Sequence, residues 1–132
     1  MNNNQSDKIQ KQIDAFDRMN RESLAKIGDL TKTFFIKSFD NQGFTDEGFD
    51  GWEPTKESKS SKILVKTGKL KNSIKVENIG TDTVKVVSDV TYARYINEGT
   101  SRMPKREFMG NSAVLTKKVE QIIDNNIKQV FK

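Results

Sequence analysis

The sequence predicts an α+β fold: a small antiparallel β-sheet packed by a long N-terminal helix and a C-terminal helix, with a long irregular loop between the first helix and the hairpin. Three observations predict it. Apolar residues recur at helical spacing over 7–39 and again from about residue 111 onward. Two short segments of period two, 73–79 and 83–88, flank the turn residues Gly80, Thr81 and Asp82. Between the first helix and these strands, residues 40–66 keep no period of either kind.

The first helix is expected over 7–39. Ile9, Ile13, Phe16, Leu24, Ile27 and Phe34 project within about 60° of one direction at 100° per residue. Ser6 offers an N-cap and Asp7 an acid in the first turn. Asn20 interrupts the stripe and Gly28 lies inside it, so a helix–break–helix is the alternative to one long helix laid on a sheet.

Residues 40–66 read as a flexible loop within a single domain over 1–132. Gly43, Gly48, Gly51 and Pro54 punctuate it, Asp46, Glu47, Asp50 and Glu53 make it acidic, and 58–62 is a polar low-complexity run. It nevertheless holds Phe44, Phe49 and the sole tryptophan, Trp52. Either Trp52 packs back on the domain's own core, or these aromatics anchor a neighbouring subunit, where a tryptophan often supplies much of the binding energy.

Past the loop, Thr67 can cap a short helical turn over 68–72. Ile74 and Val76 then share one strand face; Val84 and Val86 share one face of the returning strand, with Val87 opposite. Two strands alone are marginal, so a third is expected to join them. Residues 91–98 read as a short helix with Tyr92, Tyr95 and Ile96 on one side and Gly99 at the C-terminal cap position. A basic loop follows, with Arg102, Lys105 and Arg106 around Met103 and Pro104; Phe108 and Met109 return the chain to the core. The last helix carries the stripe Leu115, Val119, Ile122, Ile123 and Val130, interrupted by Asn126.

Composition narrows function. The 132 residues include no Cys and no His. Thiolate nucleophiles, Ser–His or Cys–His pairs, disulfides and the usual zinc ligands are therefore unavailable. No Gly-rich phosphate loop is present, and the carboxylates at 46–53 do not have calcium-loop spacing. The chain is expected not to be an enzyme, with no catalytic, cofactor-binding or metal-binding residues. Hydrophobic residues make up 33% and charged residues 31%, a lean core that suits an elongated shape or a surface partly covered by partners, as well as an ordinary polar monomer.

Charge is unevenly spread: residues 1–39 carry +2, 40–61 carry −4 and 62–132 carry +7. Opposite patches on one chain suit head-to-tail association of copies, or are simply solvated faces. No run resembles a signal peptide or a membrane span, so synthesis and use in a cytoplasm are expected. Lys66, Lys69, Lys71, Lys75 and Lys85 around the hairpin, with Tyr92 and Tyr95 nearby in sequence, make nucleic-acid binding the alternative reading.

Four segments carry a resemblance. They are Trp52-Glu53-Pro54; residues 63–74, Ile-Leu-Val-Lys-Thr-Gly-Lys-Leu-Lys-Asn-Ser-Ile; residues 92–100, Tyr-Ala-Arg-Tyr-Ile-Asn-Glu-Gly-Thr; and Met103-Pro104-Lys105-Arg106-Glu107-Phe108. In this order they resemble the phage virion morphogenesis family, with its related tail-completion and head–tail joining proteins. That family runs Trp-x-Pro, Leu-x-x-Thr-Gly-x-Leu-x-x-Ser-Ile, Tyr-Ala and Gly-Thr five residues apart, then Pro-x-Arg-x-Phe before a last helix. The similarity covers most of the chain from about residue 8. Asn97 stands where the family often has an aromatic or His, and Lys105 where it often has Pro or Ala.

The resemblance implies a structural bacteriophage or prophage protein that completes the tail or the head–tail neck. Its members act as ring homo-oligomers, often hexamers, and some assemble only on their target. The implied partners are the chain itself and tail-tube or head-connector proteins; the implied location is the virion, reached from the host bacterial cytoplasm. Beside it, charge separation and the aromatics of the loop single out Phe44, Phe49, Trp52, Arg94, Arg102, Lys105 and Arg106 as the protein interface. Thr67, Gly68, Leu70, Ile74, Tyr92, Gly99, Pro104 and Phe108 read as hinges and plugs of a scaffold.

Overall fold

One helix organises the molecule. In the computed structural model, which describes residues 3–55, 63–64, 68–77, 80 and 82–130, α1 runs unbroken over Asn3–Asn41. At 1.5 Å per residue its 39 residues reach about 58 Å. The helix is already running at Asn3, so Ser6 and Asp7 lie inside it and Ser6 is not its cap. Gly28 does not break it. A Cβ there would stand 2.8 Å from Val76 Cγ1 and 3.0 Å from Val84 Cγ2, so the missing side chain lets a β-hairpin press against the helix.

That hairpin is β3 (Ile74–Glu77) with β4 (Lys85–Ser88), antiparallel, Ile74 opposite Ser88 and Val76 opposite Val86. Ile74 is 1% exposed. The expected third strand does not join it: among the described residues this sheet has two strands. Packing against α1 replaces the third strand, the other way such a pair becomes stable.

The region read as a loop starts with structure of its own. β1 (Gly43–Thr45) and β2 (Phe49–Gly51) form a second antiparallel hairpin, Phe44 opposite Asp50. Strands of three residues with glycine at an end are too short to display a period of two. Thr67 and the low-complexity run 58–62 lie outside the described residues.

A short helix α2 (Lys69–Asn72) precedes β3; α3 (Ala93–Glu98) and the long α4 (Ala113–Val130) follow β4. α4 lies antiparallel to α1. Its start is tied to residues 45–46, just past the end of α1, and Asn126 Nδ2 donates to Ser23 Oγ further back along α1. The core fills the angle between α1, the hairpins and the start of α4: Phe35, Phe39, Phe44, Trp52, Ile63, Leu70, Ile74, Ala93, Phe108 and Leu115 are buried together. The result is the expected α+β fold with two small sheets. Among the described residues no helix is long and apolar enough to cross a membrane.

Candidate interaction surface

The residues expected at an interface divide into two groups. Phe44 is 3% exposed and meets Phe34 edge-on at 6.2 Å. Trp52 is 9% exposed, T-shaped on Phe39 at 5.5 Å, and its Nε1 donates to Glu107 O at 2.8 Å. Of the two alternatives for Trp52, packing on its own core is the one observed. Arg106 is buried too, with Nε donating to Glu53 O at 2.9 Å. Its guanidinium is engaged inside the molecule and does not offer an acidic partner an exposed charge. These three are corrections to the sequence reading. Polarity of the neighbouring residues suggested exposure, whereas Trp52 N donates to Gln42 O at 2.8 Å and holds the residue at the end of α1, with its indole against Phe39.

Phe49, Arg94, Arg102 and Lys105 stay at the surface. Phe49 lies over the backbone of Gly43, where a Cβ would come within 2.4 Å of its ring, and remains 57% exposed. The acidic side chains Asp46, Glu47 and Asp50 surround it on the same hairpin, all exposed. Arg94 Nε reaches Glu98 Oε2 at 3.2 Å in a solvent-facing i,i+4 pair, and Lys105 Nζ stands 3.9 Å from Glu107 Oε1. Such exposed pairs add little stability and leave the cations accessible.

The hinges and plugs are placed as follows. Leu70, Ile74 and Phe108 are 3%, 1% and 1% exposed. Gly68 is left-handed at φ 69° ahead of α2. Gly99 adopts φ 79°, ψ 169°, a region open essentially to glycine alone, and a Cβ there would meet Lys105 N at 2.8 Å. Pro104 is exposed in an extended stretch after the tight turn that pairs Thr100 with Met103. Tyr92 is not a plug: it is 38% exposed with Lys69 Nζ 5.9 Å from its ring centre, and its neighbour Ala93 supplies the buried contact.

The four motif segments meet one another. Trp52 and Glu53 bond to 106–107, as above, and Arg106 N donates to Ile96 O at 2.9 Å. Four polar residues tie distant backbone segments together, a role that sequence spacing did not reveal. Asn97 Oδ1 accepts from Phe108 N at 2.9 Å and Met109 N at 3.1 Å, while its Nδ2 donates to Met109 O at 2.9 Å. One amide thus satisfies three main-chain groups beside a core plug. Gln42, at φ 58°, ends α1; its Nε2 donates to Phe39 O and Ile63 O, and its Oε1 accepts from Ile63 N at 2.7 Å. Ser112 Oγ accepts from Leu115 N at 3.1 Å as the N-cap of α4 and donates to Thr45 O, while Asp46 Oδ1 accepts from Ala113 N at 2.8 Å.

Among the described residues no buried side-chain polar atom is left without a hydrogen-bond partner, and no group of acidic side chains is placed to hold a metal ion. No protein-family model, curated protein or solved structure matches the chain.

Proposed function

We propose that this chain is a structural protein of a tailed bacteriophage or prophage, completing the tail or the head–tail neck by self-association and docking to other virion proteins rather than by catalysis. The observation that carries the reading is the ordered set of four family-like motifs, Trp-x-Pro, Thr-Gly-x-Leu-x-x-Ser-Ile, Tyr-Ala with Gly-Thr, and Pro-x-Arg-x-Phe. It is supported by what those residues do: Trp52, Leu70, Ile74 and Phe108 sit in one core, Gly99 and Arg106 tie the backbone around it, and β2 and the 100–105 loop stay exposed. The docking elements in this reading are the acidic β1–β2 hairpin with Phe49 at its surface and the cations Arg94, Arg102 and Lys105. An acidic hairpin on one copy facing cations on the next gives the head-to-tail contact from which rings are built.

Deletion of the gene from a phage-producing host tests it. Heads and tails are expected to accumulate unjoined or with unfinished tails, and the chain supplied in trans is expected to restore infectious particles. Normal yields of infectious virions without the chain would overturn the proposal. The exposed Tyr95, together with Tyr92 beneath Lys69, favours nucleic-acid binding as the second reading. A gel shift whose affinity falls steeply with salt would support it instead.

A further inference from the structure

One residue, Gln42, holds two distant points of the chain. Its main-chain O accepts from Trp52 N at 2.8 Å. Its side chain takes Ile63 from both sides: Ile63 N donates to Oε1 at 2.7 Å, and Nε2 donates to Ile63 O at 3.0 Å. Nε2 also donates to Phe39 O at 2.7 Å, which fixes the amide on the end of α1. The amide thus offers Ile63 the acceptor and the donor that a neighbouring strand would offer from its main chain. Trp52 and Ile63 are 9% and 8% exposed and share one core. The chain leaves that core after Trp52 and re-enters it at Ile63, both times against Gln42.

The backbone of Gln42 shows that its side chain matters there. The residue follows α1 at φ 58°, in the left-handed region. Glycine is the usual residue at such a helix end. A side chain in that conformation costs roughly tenfold in the folding equilibrium. Against this cost stand the amide's hydrogen bonds, which satisfy both main-chain groups of a buried residue. The sequence between the two held points asks for little in return. Residues 56–62 read Lys-Glu-Ser-Lys-Ser-Ser-Lys and contain no apolar side chain to add to a core.

We infer that Gln42 is a clamp closing the chain at the base of the segment between Trp52 and Ile63, so that the fold depends on neither the length nor the continuity of residues 56–62. The chain can be lengthened or cut there while the parts on either side, 1–60 and 61–132, stay folded together. Loops closed at their ends in this way are where proteins accept insertions and survive cleavage. The clamp does not rest on the virion reading, since it concerns how the single chain holds itself.

A recognition site for a sequence-specific protease, inserted between Ser60 and Ser61, tests both halves of the inference. An insertion that doubles residues 56–62 in length is expected to change the unfolding constant by about threefold or less. After cleavage the two parts are expected to elute together at the size of the uncut chain, with an unchanged circular dichroism spectrum. In the cut and the uncut chain alike, the Ile63 amide should exchange its hydrogen at least about tenfold more slowly than an unstructured peptide does. Gln42→Ala should remove that protection and leave the Trp52 amide protected, because Trp52 bonds the main chain of residue 42. Gln42→Gly should also expose the Ile63 amide and lower stability, although it relieves the left-handed backbone. Parts that separate on cleavage at micromolar concentration overturn the inference. So does an Ile63 amide still protected in Gln42→Ala, or a Gln42→Gly chain more stable than the unmodified one. The cleavage arm keeps the native Gln42, so it decides even where Gln42→Ala does not fold.

Discussion

The two halves of α1 have the same sequence pattern and opposite surroundings. From Leu24 to Phe39 the helix is wedged between two hairpins and α4, and Phe39 is 0% exposed. From Ile9 to Phe16 the same periodic stripe faces solvent. Periodicity therefore identifies which side of a helix wants cover, but it does not say whether the chain itself supplies that cover. The packed half also carries Phe35 and Phe39 on a line rotated by roughly 70–110° from that stripe, and both belong to the core shared with the hairpins.

The contrast can be broken most sharply by paired truncations. Phe39→Ala should cost about 3–5 kcal/mol of stability, whereas Ile13→Ala should move the unfolding midpoint of the monomer by no more than about 0.5 kcal/mol. Urea denaturation at low protein concentration measures both. Equal losses would mean the exposed half is packed after all. Next in size is Asn97→Ala, which strands Phe108 N, Met109 N and Met109 O; about 2–3 kcal/mol is expected, and Asn97→Asp should recover part of it by keeping the acceptor. Smaller is Gly28→Ala. Alanine gains about 1 kcal/mol of helix propensity but drives a methyl into Val76 and Val84, an overpacking cost of about 1–3 kcal/mol, so a net loss near 1 kcal/mol is expected. Pairing it with Val76→Ala should turn that loss into a gain relative to Val76→Ala alone. The least effect belongs to Arg94→Ala, within about 0.5 kcal/mol in thermal melts, because its partner Glu98 is as solvated as it is.

Much of the fold was legible in the sequence. Long stripes at helical spacing gave α1 and α4, and Gly80 to Asp82 between alternating valines gave the β3–β4 hairpin. What was not legible depended on contacts far apart in the chain. The inward turn of Trp52 is decided by Glu107, 55 positions later, and the burial of Arg106 by Glu53. Asn97 looked like a departure from the family's pattern, yet it is the residue that holds the Phe108 plug in place. A side-chain amide carries no periodicity, so only its surroundings reveal what it bonds. Of the expected surface set, Phe49, Arg94, Arg102 and Lys105 are exposed, while Phe44, Trp52 and Arg106 are buried within the molecule.

The start of α4 depends on a stretch of chain far from it in sequence. Its first turn is finished by Thr45 O and Asp46 Oδ1, groups the ribosome delivers 67 positions before Ser112 and Ala113. As an isolated peptide, α4 would have the Ser112 hydroxyl but not the receiving site for it. The first turn of α4 is therefore completed by groups that only the folded chain brings beside it.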